Sequence, residues 1–131
     1  MYEVIIREHF SAAHQQRDFD GICENLHGHN WKVEVVIVAE KLNSIGVVVD
    51  FSVVEKYTKE VIDIFDHQVL NEIPYFHDFN PSAENISRFV FEELKKKLSH
   101  EPVQVKKVTI WETDNLGASY YGRDKEVEAL R

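Results

Sequence analysis

The chain has a single cysteine, three prolines and five glycines among its 131 residues. One thiol cannot form an internal disulfide, and the N-terminus carries neither a basic leader nor an apolar stretch behind it, so a reducing cytoplasmic setting is expected. No apolar run has the length needed to cross a bilayer, and no membrane partner is expected. Basic residues are the minority, 15 against 23 acidic, for a net charge of −8. That balance argues against a nucleic-acid or anionic-membrane surface. A phosphorylated small molecule remains possible if a few basic residues cluster, but the sequence does not say which of Arg7, Arg17 or the lysines would do so. Linkers, repeats and low-complexity segments are also lacking. Residues 1–122 therefore read as one domain and 123–131 as a polar C-terminal end. A chain of this size buries about two-thirds of its unfolded surface and needs no metal to fold, so a metal, if bound, is there for chemistry.

What is present is concentrated in Cys23-Glu24-Asn25-Leu26-His27-Gly28-His29, which holds a thiol, a carboxylate and two imidazoles. On a strand, the i, i+2 spacing turns His27 and His29 to one face, and Gly28 leaves room for backbone beside them. His14, closing the run Phe10-Ser11-Ala12-Ala13-His14, supplies a third imidazole. Three neutral histidines hold zinc at about 2.0–2.1 Å and leave a fourth position open, the catalytic arrangement. Cys23 has two readings at this point: a fourth ligand that closes the site, or a thiolate base next to it.

Tyr2, Val4, Ile6, Phe10, Ala12 and His14 share one alternating phase, and so do His27, His29, Trp31, Val33, Val35, Ile37 and Ala39, so both histidine sets extend an apolar strand face. The intervening loop is too long for a tight hairpin and carries Cys23 and Glu24. Lys41 to Gly46 reads as a turn and Val47 to Val49 as a short strand. A helix then starts at 50–52, with Glu55 completing a capping box, and runs to about residue 65 on the stripe Val54, Tyr57, Val61, Ile64 and Phe65. Asp66-His67 ends it, and 68–81 reads as an ordered loop. Ser82 caps a second helix to about Leu98, with the stripe Ile86, Phe89, Val90, Leu94 and Leu98. Residues 103–112 and 118–122 supply two more strands. The expected fold is α+β: a four-stranded antiparallel sheet with two helices on one face and edges that must be covered or paired.

Several of these residues have ordinary structural explanations. Three histidines can be satisfied by hydrogen bonds at a sheet end, and Cys23 can be a small buried hydrophobe. His67 suits the negative end of a helix dipole. Glu112 can be a solvated strand end, and Ser82 and Glu84 a helix cap and a first-turn acid. His9, His77 and His100 have no assigned role. Functionally, Asp66 can orient His67, His67 can polarise a thiol, and Glu112 can accept two N–H bonds from a guanidine-like heterocycle edge.

The combination of 10–14, 23–29, 46–51, Asp66-His67 with Leu70-Asn71, 80–85 and Glu112-Thr113 resembles the 6-pyruvoyl-tetrahydropterin synthase family. Within it the chain is most like the bacterial and archaeal 6-carboxytetrahydropterin synthases of the queuosine pathway. The resemblance spans residues 2–122 and implies the tunnelling fold, in which trimers form twelve-stranded barrels that stack into hexamers with active sites between subunits. It implies 7,8-dihydroneopterin triphosphate as substrate, zinc on His14, His27 and His29, and Cys23 as general base. Asp66 and His67 would tune that base from a neighbouring subunit, and Glu112 would anchor the pterin. Ser82 and Glu84 are further substrate-binding candidates, Ser82 standing where other members have threonine. The implied products are 6-carboxy-5,6,7,8-tetrahydropterin, acetaldehyde and triphosphate, with no redox cofactor. The Cys-x-x-x-His-Gly-His spacing favours this branch over the pyruvoyl-forming animal enzymes. Glu24 adds a second possibility: members with glutamate at this place cleave the dihydroneopterin side chain to hydroxymethyl-dihydropterin, and members with both residues resemble bifunctional enzymes. A non-catalytic zinc or pterin-binding module with Cys23 as fourth ligand is the reading from outside enzymology.

Overall fold

The structure is a computed structural model that describes residues 1–17 and 24–123. Cys23 lies outside the described residues, as does the polar end beyond Arg123. Two long strands, β1 (Tyr2–His14) and β2 (His27–Ala39), pair antiparallel from Tyr2 opposite Ala39 to His14 opposite His27. β4 (Gln104–Thr113) pairs antiparallel with β2, and β5 (Leu116–Tyr120) with β4. A two-residue strand, β3 (Gln68–Val69), runs parallel to β1 at Ala12 and Ala13. The sheet thus has five strands in the order β3-β1-β2-β4-β5, where the sequence suggested four antiparallel ones. β3 escapes periodicity because two residues cannot show an alternation.

One face of the sheet is the core. Phe10, Trp31, Val33, Val35, Ile37, Val108 and Ile110 are buried there, beneath α1 (Phe51–Ile62) and α3 (Ala83–Lys97). A single-turn helix, α2 (Tyr75–Asp78), and a 3-10 turn (Leu70–Glu72) fill the stretch expected to be plain loop. Residues 47–49 form no strand; Val48 and Val49 are buried as part of the turn into α1. The cap of α1 is Asp50, whose carboxylate accepts from Ser52 N at 2.8 Å, so Ser52 and Glu55 do not make the expected capping box. The helix stops at Ile62, three residues early, which leaves Ile64 45% exposed while Phe65 turns inward and is fully buried. α3 begins at the predicted cap, with Ser82 Oγ accepting from Asn85 N at 3.1 Å.

Candidate metal centre

The alternating phase carries the histidines to one end of the core face. His14 stands directly opposite His27, and His29 two pairs along, opposite Ala12 and on the same face. Ile110 pairs with Val33, so Glu112, next on the same face of β4, reaches toward that end as well. Trp31 forms the floor, fully buried and edge-on to His14 at 4.9 Å and to His29 at 5.2 Å between centroids. Its indole N–H donates to Ala12 O at 3.1 Å, which fixes the ring. Among the described residues close packing does not require Gly28: a Cβ there would meet Ala12 O at 3.8 Å, an ordinary contact.

The ligand atoms converge. His14 Nε2 and His27 Nε2 are 3.1 Å apart, and Glu112 Oε1 lies 3.1 Å from His14 Nε2 and 3.2 Å from His29 Nε2. One atom from each of His14, His27, His29 and Glu112 falls within 4.8 Å of the other three. The opposite ring nitrogens are committed: His14 Nδ1 donates to Pro81 O at 2.6 Å and His27 Nδ1 to Asn25 O at 2.7 Å. Carbonyls only accept, so both Nδ1 atoms carry the proton and, in the neutral rings, both Nε2 lone pairs point inward. His29 Nε2 is buried with no hydrogen-bond partner. Burial chiefly, then the neighbouring His14 and His27, holds His29 below its ordinary pKa, against the opposing pull of Glu112 and Glu24. Three imidazole nitrogens and a carboxylate oxygen gathered within 4.8 Å suit a cation at the centre, and imidazole nitrogen with carboxylate oxygen is a donor set zinc accepts.

Glu24 stands just outside this ring. Its Oε1 is 3.9 Å from both His14 Nε2 and His27 Nε2 and accepts from Gln16 N at 3.1 Å, while Glu24 N donates to Gln16 O. Two asparagines hold the other edge of the same segment. Asn71 brackets Gln15, accepting from its N–H at 2.8 Å and donating to its carbonyl at 2.7 Å, and Asn80 does the same for Arg17 with both bonds at 2.8 Å. Side-chain amides thus take the place of a neighbouring strand and continue β1 past His14. Neither role is legible in the sequence, since an amide in a loop has no pattern that announces its partner. Arg17 is also resolved: its guanidinium donates to Phe76 O at 2.7 Å and Phe79 O at 3.1 Å, a clamp on the loop around α2.

Asp66 and His67 are not gathered with the histidines of their own chain. Asp66 Oδ1 accepts from Ser11 N at 2.9 Å and lies 3.1 Å from His67 Nδ1, and the His67 side chain is 81% exposed. The Ser11 N–H is the main reason the Asp66 carboxyl sits below the usual carboxylate range. His67 has a positive φ of 59° and donates its N–H to Ser11 O at 2.6 Å, a left-handed residue that swings the chain from α1 into β3. The Ser82 hydroxyl is the cap of α3, it is the neighbouring Pro81 carbonyl that touches His14, and Glu84 is an exposed first-turn acid. Among the described residues no helix is long and apolar enough to cross a membrane.

Fold and site together define a class: an α+β protein with a three-histidine, one-carboxylate group at a sheet end that could hold a metal ion. The particular family follows from comparison. Residues 3–123 match the family described as 6-pyruvoyl tetrahydropterin synthase, and the chain belongs to that family. It is 34% identical over 114 residues to the dihydroneopterin monophosphate aldolase of Pyrococcus furiosus, covering 87% of this chain and 92% of that one. It is 30% identical over 142 residues to the 6-carboxy-5,6,7,8-tetrahydropterin synthase of Haemophilus influenzae, covering 92% and 99%. The 6-pyruvoyl tetrahydropterin synthase of Caenorhabditis elegans superposes with a TM-score of 0.81 at 27% identity, over 93% of this chain and 96% of that one. The protein is an enzyme of the pterin-synthase type, related to all three activities.

Proposed function

We propose that the protein is a zinc-dependent 6-carboxytetrahydropterin synthase of queuosine biosynthesis. It would convert 7,8-dihydroneopterin triphosphate and water to 6-carboxy-5,6,7,8-tetrahydropterin, acetaldehyde and triphosphate. The observation that carries this reading is the convergence of His14, His27 and His29 at one sheet end, with Nδ1 of His14 and of His27 held by carbonyls and the Nε2 atoms facing inward. Bound zinc would act as a Lewis acid on the substrate's side-chain hydroxyls. Cys23 takes and returns the proton on the substrate side chain, Asp66 and His67 of a neighbouring subunit tune that thiol, and Glu112 accepts the N–H groups of the pterin edge. Ser82 and Glu84 line the approach of the substrate. Placing Asp66 and His67 at another subunit's site requires a homo-oligomer, and a trimeric barrel of these sheets in the tunnelling fold, stacked into a hexamer, supplies it.

A second activity is favoured by one observation, the Glu24 carboxylate 3.9 Å from His14 and His27 Nε2. From there it can act as base in cleaving a dihydroneopterin side chain to 6-hydroxymethyl-dihydropterin. The zinc-loaded protein is incubated with dihydroneopterin triphosphate and, separately, with dihydroneopterin. Glu24→Ala should keep the carboxypterin activity and lose hydroxymethyl-dihydropterin formation by about 10²-fold or more, the usual contribution of a general base. Unchanged cleavage in Glu24→Ala removes the second activity, and pyruvoyl-tetrahydropterin as the sole product moves the protein to the other branch of the family.

A further inference from the structure

We infer that Glu112 is the fourth ligand of the metal in the substrate-free protein and gives up that position when substrate arrives. The inference rests on the metal-binding part of the reading above and adds a resting state to it. Four ligands at about 2.0–2.1 Å around a tetrahedral ion lie about 3.3 Å from one another. The separations that include Glu112 fit this edge as well as the one between histidines: 3.1 Å to His14 Nε2 and 3.2 Å to His29 Nε2, beside 3.1 Å for His14 to His27. A single carboxylate oxygen placed between two imidazole nitrogens stands where a fourth ligand beside them would stand. Among the described residues both of its ion-pair contacts are to these histidines and none is to a lysine or arginine.

The position of Glu112 also permits release. Its side chain is 25% exposed, where His14 is fully buried, and it lies one residue from the end of β4, before the turn at 114–115. His14 and His27 are held from behind by carbonyls, and His14 and His29 lie edge-on to Trp31, whereas among the described residues the Glu112 side chain makes no hydrogen bond to a backbone carbonyl or amide. A substrate with adjacent hydroxyls brings oxygen donors for the vacated place, and a guanidine-like ring edge brings two N–H donors for the freed carboxylate. Metal–carboxylate contact is exchanged for metal–hydroxyl contact, and the carboxylate exchanges one cationic partner for two charge-assisted hydrogen bonds. Until then the metal is shielded from stray ligands.

The test is made without pterin. Wild type, Glu112→Gln and Glu112→Asp are loaded with Co2+, and visible spectra and Zn2+ affinities are compared, with circular dichroism confirming the fold. Glu112→Gln should change the cobalt spectrum and weaken Zn2+ by at least the tenfold seen when even an outer partner of a metal ligand is removed. Glu112→Asp should recover part of both. A crystal structure of zinc-loaded wild type without pterin should place a Glu112 oxygen at about 2.0–2.2 Å from the ion. Identical cobalt spectra and Zn2+ affinities in wild type and Glu112→Gln overturn the inference, as does a crystal structure with water in the fourth place and Glu112 turned away. Either result leaves the three-histidine site standing. Failure of wild type to bind Co2+ or Zn2+ at all would instead remove both this inference and the metal reading beneath it.

Discussion

At the scale of single residues, the site works by dividing each side chain between a structural and a chemical end. His14 and His27 give Nδ1 to backbone carbonyls and keep Nε2 for the centre. His27→Ala should therefore lose both bound zinc and turnover, whereas Cys23→Ala should lose turnover with zinc stoichiometry unchanged; metal analysis beside an activity assay separates the two. Loss of zinc in Cys23→Ala would make the thiol a ligand. Asp66 is a case of charge in a backbone role. Its carboxyl is held below its ordinary value by the Ser11 N–H, so its stabilising effect is complete above the unfolded pKa of about 3.9 and fades as pH falls through the lower folded value. Urea unfolding should show wild type more stable than Asp66→Asn at pH 7, with the difference shrinking only below about pH 4. An unchanged difference at pH 2 would contradict this account.

At the scale of elements, what the sequence disclosed depended on length and on who makes the contact. The two long strands carry thirteen residues each, enough for alternation alone to place His14, His27 and His29 on the core face. The second helix was legible from its Ser82 cap. The first was overrun by three residues because Ile64 and Phe65 continue an apolar pattern that the backbone no longer follows. β3 and the bracketing of Gln15 and Arg17 by Asn71 and Asn80 were hidden, since both arise from contacts over more than fifty positions. Asn80→Ala leaves the Arg17 N–H and C=O without their partner and should cost about 1–3 kcal/mol in urea unfolding. Hydrogen exchange should rise at residues 15–17 and 24 with α3 unaffected. Exchange unchanged there would show that Asn80 does not hold the segment bearing Glu24.

At the scale of the molecule, one face of the sheet is covered by helices and the far edge, β5, has no partner strand within the described chain. Beside its neighbour Trp111 the sheet is so close that a Cβ at Gly117 would come within 2.6 Å of the indole, which explains a glycine on this strand. Asp66 and His67 are not among the four residues whose ligand atoms converge, and the proposed function assigns them to a neighbouring subunit's site. Light scattering should give the mass of a trimer or hexamer; a monomer that is fully active would refute sharing. The strand phase brought His14, His27 and His29 to one face, but the places of Glu24 and Glu112 around them depend on contacts between distant segments that no local pattern announces. Zinc-loaded protein incubated with 7,8-dihydroneopterin triphosphate and analysed by mass spectrometry should yield 6-carboxy-5,6,7,8-tetrahydropterin with acetaldehyde. Unreacted substrate after incubation with fully metal-loaded protein would contradict the account and leave a metal centre without this chemistry.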